Sequence, residues 1–98
     1  MGFFYVVFSF CVSATGYENH CQQEKLIDTQ YLGLVSCYTG AKSVEKRTTE
    51  QILQEAQKNN VKDPKIEVKT RCINSAETEA FLKQWGPSAL VITGKKYE

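Results

Sequence analysis

The feature that most constrains this chain is a double change of hydrophobic period across residues 65–93. From Lys65 to Ile73 the residues alternate, with Ile66, Val68, Thr70 and Cys72 on one side and Glu67, Lys69 and Arg71 on the other. That period of two predicts a strand with one wet face, at a sheet edge. The period then becomes helical: Thr78, Phe81, Leu82 and Trp85 fall at i, i+3, i+4 and i+7, one stripe of a helix. Asn74 stands at the N-cap with Glu77 at the capping-box position. Gly86 and Pro87 stop the helix, the glycine for a left-handed turn and the proline because it cannot continue. A short, wholly apolar strand, Ala89 to Thr93, follows.

Upstream, Val44, Thr48, Ile52 and Ala56 recur every four residues, and Leu53 widens the stripe. This predicts a helix over Ser43 to Lys58, capped by Ser43 or starting at Thr48 with Gln51, and ended at Asn59-Asn60. Tyr31 to Tyr38 reads as a strand stopped by Thr39-Gly40. Tyr17 to Asp28 is polar, either a short helix or an irregular connection. Helices between the three later strands imply right-handed crossovers and hence parallel strands.

The N-terminus has two readings. Phe3 to Val12 is a continuous apolar run, too short to span a bilayer as a helix. It is either a buried central strand, apolar on both faces, or the apolar region of a signal peptide cleaved after Ala14 or Gly16. Against cleavage, no Lys or Arg precedes the run, and removal of Cys11 would leave an odd number of cysteines. With the run as a strand, residues 1–98 form one small α/β domain with an open parallel sheet and crossover helices, Rossmann-like in its β-α-β-α-β core.

Composition excludes several classes. Twelve basic and eleven acidic residues in 98 leave a formal charge of +1, which predicts no strong non-specific attraction to nucleic acid or to an anionic membrane and leaves room only for a local basic patch. The cysteines Cys11, Cys21, Cys37 and Cys72 form no C-x-x-C pair, and the single histidine, His20, adjoins Cys21, so no metal site is expected. Their ordinary reading is four reduced thiols in a cytoplasmic protein. If the protein is exported, Cys37 and Cys72, near the ends of adjacent strands, form a disulfide. His20 and Cys21 as neighbours do not make a nucleophile and base. Lys42, Lys46 and Arg47, at the start of the long helix, read as a solvated basic face, with an anion site as the alternative.

The stretch from Thr48 to Lys96 (TTEQILQEAQKNNVKDPKIEVKTRCINSAETEAFLKQWGPSALVITGKK) resembles the core of the universal stress protein family: long helix, alternating strand, short helix opening with small and acidic residues, apolar strand. Residues 31–38 and 3–12 would match its earlier strands. The resemblance implies a HUP-type fold, a binding or dimerisation role without catalysis, and an ATP site. That family's site uses an acidic residue after the first strand, whereas the loop here, Cys11 to Gly16, has none before Glu18. It also uses a glycine motif whose amides cradle phosphates. Gly94 matches the first glycine, but Tyr97 stands at the next. ATP binding tighter than about 1 mM is therefore not expected. A small exported α/β interaction module with one disulfide is the alternative function. Neither reading includes a membrane span, and the protein partner is left unidentified, with a homodimer as one form.

Overall fold

In the computed structural model, which describes residues 3–92, the order is β1 (Phe4–Ala14), β2 (Tyr17–Ile27), α1 (Leu34–Lys58), β3 (Lys65–Asn74), α2 (Ser75–Trp85), a 3-10 turn at Pro87–Ala89, and β4 (Leu90–Val91). The strands form one sheet ordered β3-β1-β2-β4. β1 is antiparallel to both neighbours, and only the two-residue β4 pairs in parallel, with Leu26 and Ile27 of β2.

This overturns the expected parallel Rossmann-like sheet. β2 and β3 do run the same way, joined by α1, but β1 lies between them and runs against both. The reason begins at the Thr15-Gly16 turn. Ala14 pairs with Tyr17 and Gly16 adopts φ +85°, a conformation glycine reaches without steric cost. The chain therefore returns at once as β2, through a polar segment expected to be helical or irregular. Strands joined by a two-residue turn can only be antiparallel.

The central place of β1 explains its apolar run. Val6 and Val7 point to opposite faces and both are fully buried. Val6 packs with Ile27, Tyr31, Cys37, Ala41 and Val44 beneath α1. Val7 packs with Leu26, Ile73, Phe81 and Ala89 beneath α2. A continuous apolar stretch reports burial on two faces, whichever way the neighbouring strands run.

Residues 31–38, expected as a strand, instead enter α1, which starts at Leu34 rather than Ser43. Its buried stripe runs back from Val44 to Ala41 and Cys37, the i, i+4, i+7 spacing of a helix face. The Ser36 hydroxyl accepts from the Gly33 N–H (3.3 Å) and donates to the Gly33 carbonyl (2.8 Å) at the N-terminus. Gly40 is not a stop: the ring of Tyr31 lies where a Cβ at position 40 would be. Asn59 caps the C-terminus, and Asn60 follows with φ 56°.

β3 is an edge strand. Its Thr70 hydroxyl donates to Glu45 Oε1 of α1 (2.6 Å). On the other face Arg71 donates two hydrogen bonds to Glu24 of β2 (2.9 and 3.2 Å), and the hydrogen bond raises the guanidinium pKa further. Asn74 and Glu77 form the capping box of α2, with Asn74 Oδ1 accepting from the Glu77 N–H (2.9 Å) and Glu77 Oε1 from the Asn74 N–H (3.1 Å). Gly86 ends α2 at φ 86°, ψ 165°, extended rather than left-handed helical but equally a glycine conformation. Of the apolar strand expected at Ala89–Thr93, Leu90–Val91 forms β4 and Ala89 ends the preceding 3-10 turn, while Thr93 lies outside the described residues.

Candidate functional site

The cysteines are the first departure from the reduced-thiol reading. Cys11 and Cys21 face each other across β1 and β2 and are joined by a disulfide. A second joins Cys37, in the first turn of α1, to Cys72 of β3. Cys37 therefore lies on a helix, not at a strand end, and Cys72 faces it because Cys72 pairs with Val6 on the α1 side of β1. No free cysteine occurs among the described residues. With Cys21 bonded to Cys11, His20 has no thiol beside it to activate. Among the described residues no group of three His, Cys, Asp or Glu side chains could hold a metal ion. No described helix is long and apolar enough to cross a membrane.

The nucleotide contact inferred at Gly94 lies outside the described residues. Both helix N-termini are otherwise committed. That of α2 carries the Glu77 carboxylate, and that of α1 is flanked by Leu32, Leu34 and Val35. Because α1 starts at Leu34, Lys42, Lys46 and Arg47 stand two to four turns into the helix rather than at its positive end. An anion site built on the macrodipole is thereby lost, since that field acts only within the terminal turn.

These cations belong to a different feature. Residues 35, 38, 39, 42, 43 and 46 follow helical spacing on the side of α1 opposite its buried stripe. Two shallow, open depressions of about 510 and 600 Å³ run along this side and share Thr39, Ser43 and Lys46. Val35 and Tyr38 line the end nearest the helix start, and Lys42, Lys46 and Arg47 the other. Val35 is 80% exposed, Leu32 73% and Tyr38 51%, with Leu34 also exposed. Ile92, at the same end of the sheet beyond β4, is exposed as well. No Asp or Glu occurs between Asp28 and Glu45. The nearest acid along the helix, Glu45, is turned to Thr70.

The surface therefore has an apolar tip, a band of hydroxyls and a basic flank in succession along one helix. Single exposed apolar residues are ordinary, but a group of them rimmed by polar residues marks an interaction site. The sequence alone concealed it, because Leu32 to Tyr38 as a strand would have been core. The period of Cys37, Ala41 and Val44 was the signal that turns the remaining residues outward.

No family model matches the chain, and neither a curated protein nor a solved structure matches it.

Proposed function

We propose that this protein is an exported, non-enzymatic interaction module, braced by two disulfides, that binds through the outer side of the N-terminal half of α1. The observation that carries the reading is the pairing of all four cysteines, Cys11 with Cys21 and Cys37 with Cys72. Such bonds persist in oxidising compartments and are rare in the cytosol. Small domains use them because a core of this size stabilises weakly. With every described cysteine held in a disulfide and the single histidine, His20, exposed on β2, the reading takes binding over catalysis. The exposed Leu32, Val35 and Tyr38 supply the surface. The reading does not use cleavage after Ala14 or Gly16, because that would remove β1 from the centre of the sheet.

The test is a thiol-blocked peptide map of the protein taken from its native source. Peptides linking Cys11 to Cys21 and Cys37 to Cys72, with no alkylated cysteine, are the expected result. Four alkylated thiols would return the protein to a reducing compartment and end the proposal.

A further inference from the structure

We propose that the apolar tip at the start of α1 docks into an anionic phospholipid surface, with Lys42, Lys46 and Arg47 at the level of the headgroups. The proposal rests on the preceding reading and names the partner of that same surface. Three observations carry it. The tip projects: Leu32 and Val35 are 73% and 80% exposed, and the depressions beside them are shallow. A protein partner's anchors fill well-packed pockets, whereas a bilayer accepts a protruding apolar group without one. The charge is complementary: Lys42 is the single charged residue between Asp28 and Glu45, Lys46 and Arg47 follow directly, and Glu45 is turned to Thr70. Glu77 and Glu79 lie on α2, which starts at the same end of the sheet but on its other face, and the Glu77 carboxylate is turned back to the Asn74 N–H.

The spacing also fits. At a rise of about 1.5 Å per residue, Tyr38 lies about 5 Å behind Val35, and Lys42 to Arg47 about 10–18 Å behind it. Interfacial segments bury their apolar side about 5–10 Å deep. With α1 steep to the surface, Val35 and its neighbours enter the acyl boundary and Tyr38 sits in the interfacial belt favoured by tyrosine. The cations then reach the phosphates. Apolar insertion and basic attraction are each weak alone, and stable attachment takes two such contributions.

The experiment is co-sedimentation of the oxidised, full chain with vesicles of phosphatidylcholine alone and of phosphatidylcholine with phosphatidylserine. Binding is expected to the anionic vesicles, at least ten-fold weaker to the neutral ones, and reduced by salt. Removing Lys46 or Arg47 as Lys46→Gln or Arg47→Gln should weaken it about five-fold each. Val35→Asp and Leu32→Asp should each abolish it while leaving the denaturation midpoint unchanged, since both side chains are exposed. Equal binding to both vesicles, or none to either, overturns the proposal. So does a dimer in lipid-free sedimentation velocity that Val35→Asp dissolves, which assigns the surface to a second copy. Intact mass on the same sample separates the two levels: failure to bind with both disulfides present defeats the lipid partner alone, whereas free thiols defeat the module reading.

Discussion

Gly40 sets two physical effects against each other at one position. In a helix interior, alanine is favoured over glycine by about 1 kcal/mol. At position 40, however, a Cβ would overlap the ring of Tyr31, and Tyr31 is buried in the cluster beneath α1. Overpacking costs about 1–3 kcal/mol where the neighbour cannot move aside. Tyr31 is held at its backbone as well, through paired hydrogen bonds with Phe4 (2.8 and 2.9 Å). Gly40→Ala should therefore lower the chemical denaturation midpoint. A raised midpoint would mean that the ring swings away freely. Trp85 is a comparable case of sequence and structure differing in degree. Its spacing predicts a core residue, but it packs half-buried at the margin of the cluster centred on Val7, whereas Phe81 is 5% exposed. Phe81→Ala should cost about 3–5 kcal/mol. Trp85→Ala should cost less, because part of its side chain already meets water. Equal losses in urea titrations of the two variants would place Trp85 deeper than it stands.

Among the elements, the disulfides differ in the work they do. The Cys37–Cys72 bond closes a separation of 35 residues, and the Cys11–Cys21 bond one of 10. Chain-entropy reasoning assigns them roughly 3.8 and 2.7 kcal/mol respectively. The longer bond also clamps α1 to the edge strand, with Cys37 fully buried in the core, while the shorter joins strands already paired. Cys37→Ala with Cys72→Ala should therefore lower the thermal midpoint more than Cys11→Ser with Cys21→Ser. The reverse order in calorimetry would show that the hairpin end controls unfolding. Elements were legible in the sequence wherever their period was internal. The alternation of β3, the capping box of α2 and the Asn59-Asn60 end of α1 are local patterns, and all three stand in the structure. The start of α1 and the identity of β2 were not legible. Both depend on partners distant along the chain: Tyr31 against Gly40 and Phe4, and a polar β2 held against β1. The candidate surface followed the same division. Its cations were visible as a basic group, but the outward direction of Leu32 and Val35 was not, because it depends on where α1 begins.

For the whole molecule, the position of β1 decides what can be removed. It pairs with β2 on one side and β3 on the other over most of its length. It also supplies the two most deeply buried valines, one to each core cluster. A chain beginning at Tyr17 would leave β2 and β3 with no strand between them and both helices without a floor. It should be insoluble or show a far-ultraviolet helix signal without a cooperative thermal transition. A cooperative transition from that chain would show that the sheet can close without its first strand. The Arg71–Glu24 pair spans the same strand from above. Being about half exposed, it adds only on the order of 0.5–1 kcal/mol. An arginine whose pKa is raised stays charged through the ordinary pH range, so this pair's arginine brings no pH dependence to stability there.

That arrangement also sets an order of events during synthesis. Of the strands in this sheet, the inner strand β1 emerges before the others, and its hairpin with β2 is complete by Ile27. Its other edge is matched only when Lys65 to Asn74 emerge, with Phe4 facing Asn74 across the chain's longest strand pairing. Through that interval an apolar strand with one unpaired edge is exposed, the kind of nascent intermediate prone to aggregation. The late, non-local pairing slows folding relative to a helical domain of equal length. Slow translation upstream of residue 65 should therefore favour aggregation, and slow translation after residue 74 should not. The strand that holds the centre of the finished sheet is its most vulnerable part while the chain is being made.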